Sequence, residues 1–191
     1  MDPNVSHVSE VGVRDGYATF AFLDAAVERW QGRHQAGASG PLTVRLYDIT
    51  KTAAIKALLG DLECECPALD VNFAEGDDLK ISIEDTDFML LDTWHTYRQL
   101  AAELKVIPQR VRQRISFHDT VLFAYGDEGD DVGHGGKPIE AGLYVGLEKK
   151  SGLMPAIEEF LVSEKARSPT GAFMLEEAKQ NCNGLVILKR A

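Results

Sequence analysis

Apolar and polar residues alternate along the chain in blocks that predict short strands separated by helices. Leu42–Asp48 alternates between the two classes, whereas Phe88–Asp92 is apolar up to its final residue. An uninterrupted apolar strand is typical of the centre of a sheet that is covered on both faces. The other predicted strands before residue 120 are His7–Val13, Ala68–Ala74 and Ile115–His118. This order predicts an α/β fold with a mostly parallel sheet and helices on both faces.

Four segments between and after these strands have helical periodicity. Three of them are Tyr17–Gln31, Tyr97–Val106 and Gly152–Glu164. The fourth is a helix that Thr50 caps and that ends near Leu59. On the first helix the predicted apolar stripe consists of Phe20, Leu23 and Val27. On the last helix the predicted apolar side consists of Leu153, Ile157, Phe160 and Leu161. We expect these surfaces to pack on the sheet.

The second half of the chain contains a predicted loop and a predicted hairpin. Gly126–Gly136 holds five glycines and four acidic residues, a composition typical of a loop. The turn residues Asn183–Gly184 separate Phe173–Lys179 from Leu185–Lys189, which predicts a terminal hairpin. A chain of 191 residues predicts one domain over 1–191, with 126–152 as a lid or insertion in it.

The composition narrows the class of function. A net charge of −10 argues against nucleic acid as a partner, because phosphate binding requires a basic surface. No apolar run reaches the roughly 20 residues that a membrane span requires. Three cysteines and no secretion signal predict a protein of the reducing cytoplasm. We therefore expect a small-molecule partner, and self-association into a homo-oligomer stays open.

The first candidate site is the glycine turn after the first strand. Gly12 and Gly16 would let the backbone approach a ligand, and Glu10 precedes them. Asp48 ends the next strand, where an acid can bind both ribose hydroxyls of an adenosine. The alternatives are an ordinary tight turn and a helix cap.

The second candidate site lies at the ends of the predicted strands Phe88–Asp92 and Ile115–His118. Asp92 and Asp119 would share one crevice if these strands pair, and His95 and His118 accompany them. Two adjacent carboxylates repel each other unless they share a proton or a divalent cation. His95 could also accept a proton from a substrate hydroxyl. The alternative is that the acids cap helices and the histidines pack in the core.

At these residues the sequence resembles a known family. The runs LLDTWHTYRQLAAEL, ISFHDT, GLMPAIEEFL and NGLVILKR resemble the cephalosporin hydroxylase and rhamnosyl O-methyltransferase group of class I methyltransferases. EVGVRDGYAT resembles the cofactor-binding first motif of that group. The resemblance implies a Rossmann-like, seven-stranded sheet whose last strand is antiparallel.

The resemblance also implies ligands for several residues. S-adenosylmethionine would lie at the turn of Glu10, Gly12 and Gly16 and at Asp48, with Asp77 or Asp78 near the adenine. A divalent metal, with Mg²⁺ as the expected ion, would lie on three residues further along the chain: Asp92, His118 and Asp119. His95 matches a candidate general base.

The chain departs from the family pattern in three places. About nine residues precede the first motif, where family members commonly carry a helical segment that covers the substrate. Asp78 replaces a more usual small serine, and the segment 126–152 is enlarged. Substrate recognition is therefore the feature on which we expect the chain to differ from the family.

The sequence thus predicts an S-adenosylmethionine-dependent O-methyltransferase that acts on a hydroxyl of a sugar or secondary metabolite with help from a divalent metal. One alternative is a metal-dependent hydroxylase that uses His118 and Asp119. The other is a cofactor-binding or assembly domain without catalysis, which the short N-terminal segment favours slightly.

Overall fold

The computed structural model describes residues 4–32, 41–129, 150–167 and 171–191. These residues belong to two compact units, Met1–Met89 and Leu90–Ala191. The predicted loop Gly126–Gly136 and the predicted lid at 126–152 lie largely outside the described residues. No helix in the described ranges is long and apolar enough to cross a membrane.

Seven strands form one mixed sheet. In chain order they are β1 (His7–Val11), β2 (Thr43–Asp48), β3 (Val71–Glu75), β4 (Thr86–Leu91), β5 (Val111–His118), β6 (Phe173–Lys179) and β7 (Leu185–Arg190). Their order in the sheet is β3-β2-β1-β4-β5-β7-β6. β4 occupies the central position, as its apolar run Phe88–Leu91 predicts.

The first unit contains the parallel strands β1, β2 and β3. Val8 of β1 lies opposite Val44 of β2, and Val44 lies opposite Val71 of β3. The side chains of Val8, Val44 and Leu46 are completely buried. Burial of a branched aliphatic side chain contributes roughly 1.5–3 kcal/mol, so these positions fix the register of the first unit.

Helix α1 (Thr19–Gly32) begins two residues later than predicted, and its buried face is different. Phe22, Leu23 and Ala26 are buried, whereas Phe20 is 55% exposed. Positions three and four apart share a helix face, so burial of residues 22 and 26 turns residue 20 towards solvent. The predicted stripe was therefore wrong at Phe20.

Helix α2 (Ala53–Glu65) is capped by Thr52, not by Thr50 as predicted, and it extends well beyond Leu59. The Thr52 hydroxyl accepts a hydrogen bond of 3.3 Å from the Ile55 amide. The amide of Thr50 instead donates to the Asp48 carboxylate, at 3.1 Å. Thr50 therefore belongs to the turn after β2, and the helix starts two residues further on.

Several strand boundaries also differ from the prediction, among them those of β1, β3 and β5. β1 ends at Val11, because Gly12 turns the backbone with a φ of +87°. β3 starts at Val71, later than the predicted Ala68. β5 starts at Val111, earlier than the predicted Ile115. The added residues of β5 include two arginines and a glutamine, whose polarity conceals strand character.

The second unit contains the predicted hairpin. β7 pairs antiparallel with both β5 and β6. The Arg190 guanidinium lies 4.2 Å from the centre of the Phe173 ring and donates to the Pro108 and Val111 carbonyls. The last strand is therefore fixed by its side chain as well as by the sheet.

The helices of the second unit also match their predictions closely. Helix α3 (Tyr97–Val106) has the predicted bounds, and α4 (Leu153–Arg167) is slightly longer than predicted. Leu153, Ile157 and Phe160 are buried on α4, as predicted, and Leu161 is partly exposed.

Two glycines provide a matched test of this backbone. A Cβ added at Gly60, within α2, meets no atom within 4 Å. A Cβ added at Gly184, where φ is +101°, would overlap the backbone of Val121. Gly60→Ala should raise the free energy of unfolding by about 0.5–1 kcal/mol. Gly184→Ala should lower it by about 1–3 kcal/mol. Urea titrations measure both, and equal effects of the two substitutions would contradict the turn geometry.

Candidate functional site

The turn after β1 is tight and requires glycine. The Gly12 amide donates to the Tyr47 carbonyl at 2.9 Å, and the Gly16 amide donates to the Val13 carbonyl at 2.8 Å. Gly16 has a φ of +86°, and a Cβ there would lie 2.8 Å from Ile55 Cδ1. A side chain at residue 16 would therefore meet both backbone strain and a steric clash.

Asp48 connects this turn to the loop after β2. One carboxylate oxygen accepts from the Arg14 amide at 2.7 Å, and the other accepts from the Thr50 amide at 3.1 Å. Thr52 caps α2, so Asp48 is not the helix cap. Each carboxylate oxygen can accept more than one hydrogen bond, so both retain capacity for a ligand hydroxyl.

The other acids predicted near the cofactor have different environments. Glu10 is 1% exposed and accepts a hydrogen bond of 2.5 Å from the Thr19 hydroxyl. This contact joins β1 to the first residue of α1, so Glu10 supports the glycine turn from the interior. Asp77 and Asp78 are partly exposed in the loop after β3. That loop also meets Asp48, whose carbonyl accepts from the Gly76 amide at 2.8 Å.

The second unit brings together Asp92, His118 and Asp119, which we call the Asp–His cluster. One ligand atom from each residue lies within 4.8 Å of the others. His118 Nδ1 lies 3.4 Å from Asp92 Oδ2 and 3.2 Å from Asp119 Oδ1. Asp119 has a φ of +56°, a conformation that costs free energy for a residue other than glycine. Helix α3 is capped by Thr96, so Asp92 is not its cap.

Two atoms of the Asp–His cluster are buried without a hydrogen-bond partner among the described residues. They are His118 Nδ1 and Asp119 Oδ1. A buried polar atom without a partner costs free energy, about 1–3 kcal/mol. A cation that accepts lone pairs from both atoms would remove this cost, so the donor set fits a divalent ion.

His95 lies beside the cluster. Its Nε2 is 3.1 Å from Asp92 Oδ1 and 3.4 Å from Asp119 Oδ2. Its Nδ1 is 2.8 Å from Glu128 Oε2. Its ring stacks on the Phe123 ring at a centroid distance of 4.8 Å. His95 is thus held between acids on both ring nitrogens and an aromatic face.

The acids around His95 determine its protonation. Burial is the largest single influence and opposes the charged ring, but other interactions outweigh it. Hydrogen bonds to Asp92 and Glu128, and the negative charges of Asp92 and Asp119, favour the imidazolium. Together they raise the pKa of His95 above its ordinary value.

Apolar side chains line a small crevice beside His95 and His118. They are Leu91, Trp94, Leu100, Phe117 and Leu153. Apolar walls exclude water and strengthen the electrostatic interactions of the neighbouring acids. The crevice therefore combines charged groups with an apolar wall.

Sequence reasoning did not identify Glu128 or Phe123 as site residues. Glu128 lies in the glycine-rich and acidic segment that was predicted as a loop, where one acid among four carries no distinguishing pattern. Phe123 lies four residues after Asp119, outside any predicted strand or helix. Their contacts with His95 depend on tertiary structure, and only the density of acids near Gly126 pointed towards them.

No family model and no curated protein matches the chain. Solved structures do match. The pyocyanin biosynthetic protein PhzM has a TM-score of 0.55 and 14% identity, over 100% of this chain and 52% of that one. Magnesium protoporphyrin IX methyltransferase (ChlM) from Synechocystis PCC 6803, with bound SAH, has a TM-score of 0.55 and 12% identity. The match covers 98% of this chain and 74% of that one. The mitomycin 7-O-methyltransferase MmcR has a TM-score of 0.55 and 14% identity, over 99% of this chain and 50% of that one.

The chain spans about half the length of PhzM and MmcR. At these identities the similarity concerns the fold, and it confirms the predicted Rossmann-like class I methyltransferase fold. The narrower resemblance to the cephalosporin hydroxylase and rhamnosyl O-methyltransferase group stays a prediction.

Proposed function

We propose that the chain is an S-adenosylmethionine-dependent O-methyltransferase that acts on a hydroxyl of a sugar or secondary metabolite with help from a divalent metal. The observation that carries this proposal is the Asp–His cluster, which gathers Asp92, His118 and Asp119 beside His95. Such a cluster in a methyltransferase fold suits activation of a hydroxyl, because carboxylates can bind a divalent cation and an imidazole can accept the hydroxyl proton.

The cofactor would bind to the first unit. The turn of Gly12 and Gly16 leaves the backbone accessible, and Asp48 retains acceptor capacity for ribose hydroxyls. Asp77 and Asp78 would lie near the adenine, and Glu10 would hold the turn in shape from the interior. The SAH that is bound in ChlM supports the choice of cofactor.

The Asp–His cluster would hold the metal, with Mg²⁺ as the expected ion. When bound, a divalent cation would lower the pKa of an acceptor hydroxyl and offset the carboxylate charge that keeps His95 protonated. His95 would accept the hydroxyl proton at Nε2, the ring nitrogen that faces Asp92 and Asp119. The apolar crevice would exclude water from this transfer.

Cofactor binding is tested by the stability of the folded chain. S-adenosylhomocysteine should raise the Tm of the parent protein, because a ligand selective for the folded state stabilises it. Asp48→Ala should lose most of that increase, measured from its own Tm without ligand. Asp24→Ala, which removes an exposed acid of α1, should keep the full increase. No increase in the parent at millimolar ligand would refute the cofactor assignment.

Metal binding is tested directly with Mn²⁺. Electron paramagnetic resonance of the chelator-treated protein should show one tightly bound Mn²⁺ per chain. Asp92→Asn and Asp119→Asn should each weaken binding, because a neutral amide is a poorer ligand than a carboxylate. Asp61→Asn, at an exposed position of α2, is the matched control and should bind normally. Equal Mn²⁺ binding in all four proteins would show that these acids are not ligands.

His95 should affect turnover and leave ligand binding intact. His95→Gln should bind Mn²⁺ and S-adenosylhomocysteine as the parent does. Its rate of methyl transfer should fall by roughly 10²–10⁴-fold, the usual contribution of a general base. The measurement uses S-adenosylmethionine with a labelled methyl group and a panel of sugar, catechol and flavonoid hydroxyl acceptors. Unchanged turnover in His95→Gln on any accepted substrate would exclude His95 as the base.

A further inference from the structure

Large apolar side chains are exposed in the turn that directly follows β5. The first residue of this turn is Asp119, a member of the Asp–His cluster. Leu122 is 58% exposed and Tyr125 is 70% exposed in the part of the chain that the structure describes. Exposed apolar side chains that lie together beside polar groups are typical of a surface that binds another molecule. Their place in one short turn next to the candidate site indicates such a surface.

Hydrogen bonds hold the backbone of this turn at two points. The Leu122 amide donates to the Asn183 carbonyl at 3.0 Å, in the turn between β6 and β7. The Phe123 carbonyl accepts from the amide of Leu153, the first residue of α4, at 2.9 Å. The apolar side chains are therefore carried by a fixed backbone. A ligand that binds to a surface already in shape pays less entropy for ordering it.

The geometry of the turn places Leu122 beside the cluster. The Phe123 amide donates to the Asp119 carbonyl, four residues earlier, at 2.9 Å, as in one turn of an α-helix. Residues three and four apart lie on one side of such a turn, so Leu122 and Phe123 lie on the side of Asp119. The Phe123 ring stacks on the His95 ring. Leu122 therefore borders the candidate site, and Tyr125 extends the apolar surface three residues further along the chain.

The apolar surroundings of the cluster favour one class of acceptor. Apolar side chains adjoin the site both at Leu122 and in the crevice, which Leu91, Leu100 and Leu153 line. A sugar carries a hydroxyl on most of its ring carbons, and aliphatic side chains offer these hydroxyls no hydrogen bond. Burial of a hydroxyl without a partner costs free energy. Burial of an aromatic ring against the same side chains is favourable, because it removes apolar surface from water.

We propose that Leu122 and Tyr125 bind the apolar body of the acceptor, and that the acceptor is an aromatic hydroxyl compound in preference to a sugar. The hydroxyl would lie at the Asp–His cluster, and the ring would cover Leu122 and reach Tyr125. The assignment of these residues to an acceptor rests on the proposed function. The affinity of the surface for an aromatic ring does not depend on that function.

Titration with 2-naphthol locates the binding surface without any turnover. Methyl ¹H–¹³C correlation spectra of the labelled full chain, recorded with Mg²⁺, should show Leu122 signals that shift and saturate. The signals of Val162, which is 72% exposed on α4, should stay in place. The spectra of Leu122→Ser and Val162→Ser assign the two sets of signals. Methyl glucoside at equal concentrations should leave the Leu122 signals unshifted.

Equilibrium dialysis of 2-naphthol gives the contribution of each side chain. Leu122→Ser and Tyr125→Ser should each raise its Kd roughly tenfold, because each removes an apolar contact from the binding surface. Val162→Ser is the matched control and should bind 2-naphthol as the parent does. All three variants should bind Mn²⁺ normally, because none of them removes a ligand of the cluster.

The outcomes separate this proposal from the proposed function. The aromatic surface would be overturned if Leu122 showed no saturable shift, if methyl glucoside bound more tightly than 2-naphthol, or if both serine variants kept the parent affinity. Saturable binding at Leu122 in a parent chain that transfers no methyl group would leave the aromatic surface in place and overturn the proposed function.

Discussion

Three carboxylates surround one imidazole in the second unit, and the surrounding site depends on how their charge is compensated. Asp92, Asp119 and Glu128 place oxygens at 3.1, 3.4 and 2.8 Å from the ring nitrogens of His95. Negative charges so close together are unfavourable unless a positive charge lies among them. A proton on His95 would supply that charge, which is why these hydrogen bonds and charges raise the pKa of His95 even though burial opposes the charged ring. A divalent cation on the Asp–His cluster would supply this positive charge equally well. The imidazole of His95 could then lose its proton and act as an acceptor in proton transfer.

In the first unit, hydrogen bonds to Asp48 hold together the loops at the carboxyl ends of the strands. Asp48 accepts from amides of the loops after β1 and β2, and its own carbonyl accepts from the loop after β3. The three loops that follow parallel strands are thereby held together by one residue. Such an edge, with glycine in the left-handed region and acceptors nearby, suits an adenosine-containing cofactor.

The predictions that succeeded depend on residues close in the chain. The apolar run Phe88–Asp92 identified the central strand, and Asn183–Gly184 identified the hairpin turn. Phe20 was misplaced because helix phase depends on where the preceding turn ends, which Gly16 and Thr19 decide in three dimensions. The cap was misplaced because Thr50 and Thr52 are equally good capping residues, and only the structure shows that the Thr52 hydroxyl accepts from the Ile55 amide. Glu128 could not be found, since its partner His95 lies 33 residues earlier in the chain.

The central claim is that this fold binds the methyl-donor cofactor, and native mass spectrometry tests it most directly. The purified chain, mixed with an excess of S-adenosylhomocysteine, should show one adduct per chain, whereas an equal excess of adenosine should give a much weaker one. Absence of the S-adenosylhomocysteine adduct from the folded protein would contradict the account.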